Sequence, residues 1–192
     1  MDSRAEKGTL RRHTDAARKQ LPRDVHRHRD DARTTIVLTH LPPHPGVVAL
    51  YASRPGEPGT APLVRTLEQL GWRVLLPKLG RSPDWAWATH PLRPGWAGIP
   101  EPTGPGLGPE SLALADLLIL PALAVALDGS RLGTGGGWYD RALPHARPRA
   151  PRWVLVNDDE VLPELPIEPH DLPVDAAITE RGFTLLNLGH VS

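Results

Sequence analysis

The sequence contains no cysteine. Disulfide scaffolds, thiolate zinc sites and cysteine nucleophiles are therefore excluded. Lysine is scarce: Lys7, Lys19 and Lys78 stand alone in a chain whose default cation is arginine, so each marks a position worth following. Net charge is also lacking, with 22 Lys and Arg against 22 Asp and Glu. Neither nucleic-acid binding nor polybasic attachment to a membrane is expected of such a balance. No long apolar run is present. The longest, Leu112 to Leu127, is broken by Asp116 and Pro121, and a spanning helix needs ~20 apolar residues. The first thirty residues are charged and hold no apolar segment, so no signal peptide is expected and the chain reads as cytoplasmic.

What the chain has in quantity is punctuation. Its 23 prolines and 18 glycines cluster at 42–46, 54–62, 91–109 and 129–137, between apolar runs. They divide a globular chain into short elements. A length of 192 residues supports one substantial core. A single domain over 1–192 is expected, with a helical segment at 1–40 packing on an α/β core.

Residues 5–20 are rich in helix formers and place Leu10 and Ala17 on one face. A second helix is expected from Arg23 to Leu38. VVALY (Val47 to Tyr51) reads as a strand, and Thr60 as the N-cap of a helix whose apolar stripe is Leu63, Val64, Leu67 and Leu70, ending at Gly71. RVLLP (Arg73 to Pro77) is the next strand. Strand, helix and strand in this order form a βαβ unit, which makes the two strands parallel. DLLIL (Asp116 to Leu120) and WVLVN (Trp153 to Asn157) read as buried strands, Ala176–Thr179 and Phe183–Asn187 as short ones. The class is α/β, with a mostly parallel or mixed sheet flanked by helices. Such sheets bind ligands beyond the carboxyl ends of their strands.

The most informative segment is RLGTGGGWYDRAL, Arg131 to Leu143. Four of the five residues Gly133, Thr134, Gly135, Gly136 and Gly137 are glycine. A helix is expected to start near Gly137 and to stop before Pro144. Such a backbone can converge its N–H groups on one anion, the helix start adds positive potential, and Arg131 supplies a planar fork for phosphate oxygens. The loop is not a Walker A loop, because no GK[ST] follows. Nor is it a dinucleotide fingerprint, because Trp138 stands where the last glycine is needed. Two readings stay open for the run alone, a flexible turn or a phosphate cradle. Asp140 likewise reads either as a carboxylate answering the helix dipole or as a hard oxygen ligand for phosphate-bound magnesium.

The segment resembles the signature of the 5-formyltetrahydrofolate cyclo-ligase family, Arg-Leu-Gly-x-Gly-x-Gly-Tyr-Tyr-Asp. Four further segments resemble that family in order: KGTLR (Lys7 to Arg11), VVALYASRPGEPGT (Val47 to Thr60), GIPEP (Gly98 to Pro102) and LPIEPHDLPVDAAITERG (Leu165 to Gly182). DLLILPALAVALDGSRLG joins a central strand to the glycine loop.

The resemblance implies an ATP- and magnesium-dependent ligase of NagB/RpiA/CoA-transferase-like fold. Such an enzyme converts a reduced formylfolate to 5,10-methenyltetrahydrofolate with release of ADP and phosphate. It is expected to act as a monomer on small molecules, without nucleic-acid or membrane partners. By the same resemblance Lys7 and Arg11, which share a helix face, contact ATP together with Arg131, Leu132, Gly133, Thr134, Gly135, Gly136, Gly137, Trp138 and Tyr139. Arg131 and Lys7 carry the catalytic charge. Ala52, Glu57, Trp96, Ile99, Pro100 and Tyr139 form the folate pocket. Asp140 and Asp171 hold magnesium.

By residue type alone, plainer readings stand beside these. Lys7 and Arg11 fit a solvated basic face, Glu57 a surface carboxylate, Asp171 an Asx turn, and Trp138 and Tyr139 core aromatics. The pairs His26/His28 and His40/His44 have no acidic or thiol partner at ligand spacing, so zinc is not expected.

The chain departs from the family pattern at Ala52, at Arg54 where an apolar residue is usual, at Thr134, and at Trp138 where tyrosine is usual. DWAW (84–87) and the acidic NDDE (157–160) depart as well. Two rivals are a non-catalytic nucleotide- or folate-binding relative and a phosphosugar or acyl-CoA enzyme of related architecture.

Overall fold

The computed structural model describes residues 3–166, 168 and 171–186. His170 and Asn187, both within segments read above, lie outside them. In chain order the helices are α1 (Ser3–Gln20), α2 (Arg23–His40), α3 (Ala61–Gln69) and α4 (Trp138–Ala142). The strands are β1 (Val47–Ala49), β2 (Arg73–Pro77), β3 (Trp85–Trp87), β4 (Arg93–Pro94), β5 (Pro100–Glu101) and β6 (Leu117–Pro121). They continue with β7 (Ala124–Ala126), β8 (Arg131–Leu132), β9 (Arg152–Leu155), β10 (Val161–Leu162), β11 (Ala176–Ile178) and β12 (Phe183–Leu185).

Seven strands form the main sheet in the order β12-β11-β9-β6-β1-β2-β3. The inner five are parallel, and the two edges, β3 and β12, are antiparallel. The apolar runs are continuous because both faces are covered. Along β6, Leu117 and Ile119 face one cluster with Val37 of α2 and Leu63, Val64 and Leu67 of α3. Leu118 and Leu120 face the other, with Leu112, Trp85 and Leu143. Side chains alternate between faces with period two, so one strand feeds two cores. Each fully buried Leu or Val contributes ~1.5–3 kcal/mol.

α3 ends as its sequence suggests. The Gly71 N–H donates to the Glu68 carbonyl and the Trp72 N–H to the Leu67 carbonyl, at 3.0 and 2.9 Å, a Schellman closure. Two local expectations fail here. Leu70 is past the last helical turn and 51 % exposed. Thr60 makes no side-chain cap. Its hydroxyl donates to the Tyr51 carbonyl at 2.8 Å and accepts from the Ser53 N–H, which ties the chain leaving β1 to the start of α3.

The inward face of α1 is also not the apolar one. Ala17 is exposed and Leu10 half-buried. The buried residues are Lys7, Thr14 and Arg18, and Arg11 lies on the same helical face. Arg18 donates through Nε and Nη2 to the two carboxylate oxygens of Glu160, both at 2.7 Å, and through Nη2 to the Ala122 carbonyl, also at 2.7 Å. On α2, Arg33 reaches Asp30, Asn157 and Glu180. The acidic NDDE run is thus structural. Glu160 answers Arg18 and closes a capping box with Asn157. The charges of α1 and α2 dock the N-terminal helices on the sheet.

Beyond β6 the chain forms a small sheet in the order β10-β7-β8, with a tight turn at Asp128 and Gly129 between β7 and β8. That hairpin brings Arg131 back beneath the end of β6. The strand β3, the edge partner of β2, is built from DWAW: Trp85 is buried, and the Arg73 guanidinium lies 3.7 Å from the Trp87 ring centroid. No helix among the described residues is long and apolar enough to cross a membrane.

Candidate active site

The chain leaves β1 toward β2 on one side, and β6 lies on the other. Between them is a switch point, where open α/β sheets form a crevice beyond the strand ends. A cleft of about 680 Å³ lies there. Tyr51 and Ala52 after β1, Pro77 and Leu79 at and after the end of β2, and Pro121 and Ala122 at the end of β6 contribute to it.

One wall is the glycine loop. Gly133, Thr134, Gly135, Gly136 and Gly137 all line the cleft, with Trp138, Tyr139, Asp140 and Arg141 following. Gly135 and Gly137 have φ of 94° and 63°, a region in which side chains are strained. A Cβ on Gly133 would lie 2.9 Å from Arg131 Nη1, so the absent side chain is what lets the guanidinium lie along the loop. Helix α4 has only five residues. Its dipole therefore contributes less than a full helix would, and the loop amides and Arg131 supply most of the positive potential.

Arg131 is 8 % exposed. Its Nη2 donates to Asp140 Oδ1 at 2.9 Å and its Nη1 to the Pro121 carbonyl at 3.2 Å. The buried Nε has no acceptor among the described residues. Burial lowers the pKa of Arg131, and the charge of Asp140 partly restores it. A guanidinium remains protonated at neutral pH all the same. A buried fork with an unused donor beside an open glycine loop suits an anion.

α1 packs over this wall. Arg11 Nε donates to the Gly133 carbonyl at 2.9 Å. Lys7 is 2 % exposed and pairs with Asp171 and Glu168, with its Nζ 3.0 Å from Glu168 Oε2. Lys7, Arg11 and Asp171 do not line the cleft, so of the expected magnesium pair only Asp140 faces it. No group of three or more His, Asp or Glu side chains among the described residues is arranged to hold a metal. Leu132 packs with Leu123, Ala124 and Leu165, away from the loop's open face.

The opposite wall carries the other expected residues. Glu57 and Ala52 line it, as do Trp96 and Ile99 from the β4–β5 hairpin, whereas Pro100 does not. Trp96 is 67 % exposed at the tip of that hairpin. Glu57 is almost buried and held by Arg54: Oε1 accepts from Arg54 Nε and Nη2 at 3.0 and 2.6 Å, Oε2 from the Arg54 N–H at 2.9 Å. Trp138 and Tyr139 also line the cleft, edge-on to each other at 4.9 Å and to Trp85 at 5.4 and 6.5 Å. They are both cleft lining and core packing. Burial, reinforced by Glu57, raises the pKa of the Tyr139 phenol well above the usual tyrosine range. Sequence reasoning missed Pro77, Leu79, Pro121 and Ala122, although their position at or just past the carboxyl ends of strands was a usable signal. It also missed Arg81 and Arg141 as lining residues.

Comparison with known proteins gives the family. Residues 3–180 match the 5-formyltetrahydrofolate cyclo-ligase family. The chain belongs to that family. A 5-formyltetrahydrofolate cyclo-ligase of Mycolicibacterium smegmatis is 43 % identical over 150 residues, 72 % of this chain and 76 % of the relative. One from Escherichia coli is 31 % identical over 156 residues, 75 % of this chain and 80 % of the relative. The solved 5,10-methenyltetrahydrofolate synthetase of Aquifex aeolicus superposes with a TM-score of 0.81 at 28 % identity, over 97 % of this chain and 95 % of its own. The synthetase of Mycoplasma pneumoniae, at 21 % identity and a TM-score of 0.73 over 94 % of this chain and 99 % of its own, shares the fold. As a cyclo-ligase family member the chain is an enzyme of the ligase class with a mixed α/β sheet.

Proposed function

We propose that this chain carries out the ATP-dependent cyclisation of 5-formyltetrahydrofolate to 5,10-methenyltetrahydrofolate, releasing ADP and phosphate, in the cytoplasm and as a monomer. The observation that carries the proposal is the sharing of one cleft by two unlike walls. The glycine loop with Arg131 suits a phosphate chain, and the Ala52–Glu57 turn with Trp96 and Ile99 suits a flat, donor-rich ring.

The reaction needs little from the protein beyond position and charge. A formamide carbon is a poor electrophile, and its oxygen is a poor leaving group. Transfer of the γ-phosphoryl group to the formyl oxygen breaks the bond to ADP and turns that oxygen into a leaving phosphate. N10 of the same molecule attacks the formyl carbon, phosphate departs with the oxygen, and N10 loses its proton. The attack is intramolecular, and well-aligned cases lower such barriers by ~7–11 kcal/mol. Arg131, Arg11 and the loop amides balance the phosphoryl charge, as phosphoryl transfer requires. Asp140, the one carboxylate of the expected pair that lines the cleft, would hold a magnesium ion, which would supply further neutralisation of the phosphate charge.

Lys7 in this scheme acts from behind the loop. Its charge is taken up by Asp171 and Glu168, so its part is to fix the segment that carries them against α1. The test is direct: 5-formyltetrahydrofolate and Mg-ATP are mixed with the enzyme, and the methenyl chromophore is followed by absorbance. Growth of the chromophore that requires both substrates is expected. ATP binding without turnover would leave a non-catalytic relative, and neither binding nor turnover would overturn the proposal altogether.

A further inference from the structure

Glu57 faces the cleft as half of a closed unit. An ionised carboxylate has about four acceptor positions. Three are occupied, all by Arg54: two on Oε1 by the guanidinium and one on Oε2 by the backbone N–H. One acceptor position remains, on Oε2. On the arginine side, Nε and Nη2 are engaged, while Nη1 makes no hydrogen bond among the described residues. Both residues line the cleft, beside Tyr139. The turn between them, with Pro55 and Gly56 at its centre, holds the two at i and i+3. The arginine is a departure of this chain from the apolar residue that the family pattern places here.

We propose that Arg54 and Glu57 act together as one donor–acceptor unit that reads the cyclic-amide edge of a pteridine and discriminates against the 4-amino ring. This rests on the folate reading above and gives it chemical detail. A 4-oxopteridine presents a carbonyl acceptor at C4 beside an N–H donor at N3. Arg54 Nη1 donates to the carbonyl, and the free position on Glu57 Oε2 accepts from N3–H. A 4-aminopteridine reverses both groups, with a donor at C4 and an acceptor at N3. Donor then meets donor and acceptor meets acceptor. A carboxylate standing alone would have no donor to offer the C4 oxygen, so Arg54 is what makes the site selective at that position.

The experiment compares folic acid with aminopterin, which differ only at C4, by equilibrium titration of the full chain without ATP. The wild type should bind folic acid about tenfold more tightly or better, since buried polar groups facing the wrong partner are costly. Arg54→Leu should reduce that preference to below about threefold, while Arg54→Lys, which keeps charge but not the fork, should fall between. Arg54 is 41 % exposed at its side chain, and matching thermal melts check that the variants fold. If Arg54→Leu does not fold, Arg54→Lys carries the same comparison. Equal binding of both ligands by the wild type, or a preference that survives Arg54→Leu, overturns the inference and leaves the folate reading standing. If neither ligand binds, the folate reading fails and the inference with it.

Discussion

Arg18→Ala is expected to destabilise the chain by removing the main anchor of α1. The pair it breaks is buried, with side-chain exposures of 3 % for Arg18 and 8 % for Glu160. Burial by itself would lower the pKa of Arg18, yet the hydrogen bonds and charge of Glu160 outweigh it and raise the value. Truncation leaves Glu160 enclosed, with the Asn157 N–H and side-chain amide as its remaining donors, and leaves the Ala122 carbonyl without its partner. Breaking a buried pair from one side costs ~3–5 kcal/mol. In a chain of this size each kcal/mol corresponds to ~2–4 °C in Tm, so the loss should be roughly 6–20 °C. Chemical denaturation with and without Glu160→Gln completes a double-mutant cycle. The second variant should cost much less in the Arg18→Ala background than alone. A loss below ~1 kcal/mol for Arg18→Ala, with additive behaviour, would refute the claim that charge, in place of an apolar stripe, docks this helix.

Gly133→Ala sets a methyl group 2.9 Å from Arg131 Nη1. Displacing one charge-assisted hydrogen bond costs ~1.5–3 kcal/mol, so nucleotide affinity by calorimetry should fall by roughly 10–100-fold with little change in Tm. Arg131→Lys keeps a cation but not the fork that engages Asp140 and the Pro121 carbonyl. Turnover should drop ~10²–10³-fold, and a rate near that of the wild type would contradict the proposed role. Burial raises the phenol pKa of both Tyr51 and Tyr139. The unfolded chain then releases tyrosine protons first as pH rises, so stability is unaffected below about pH 10 and declines above it. The limiting slope is ~1.4 kcal/mol per pH unit for each tyrosine; Tyr51→Phe and Tyr139→Phe should each flatten the alkaline limb of denaturation midpoints against pH.

Much of the architecture was legible because its signals are local. The glycine loop, the βαβ unit from Val47 to Pro77 and the continuous apolar strands announce themselves within short windows. Residues brought together from afar did not. The inner face of α1 carries Lys7, Thr14 and Arg18, and a hydrophobic pattern cannot show a helix that docks by ion pairs to Glu160, Glu168 and Asp171. For the same reason the NDDE run stood only as a departure from the family pattern, with its partner Arg18 out of view. The β7–β8 hairpin was hidden in one long apolar stretch, although Asp128-Gly129 is a turn signal. Thr60 bonds the Tyr51 carbonyl instead of capping α3, because the partner arrives from another element. Arg54 stood out as a departure, but its pairing with Glu57 became visible only when the turn was seen closed.

The measurement closest to the central claim follows the formyl oxygen itself. The substrate is prepared with ¹⁸O in the 5-formyl group and turned over with Mg-ATP, and the released phosphate is examined by mass spectrometry. If the cleft brings the γ-phosphoryl group to that oxygen, each phosphate produced carries the label. Label appearing in water, with unlabelled phosphate, would contradict the account.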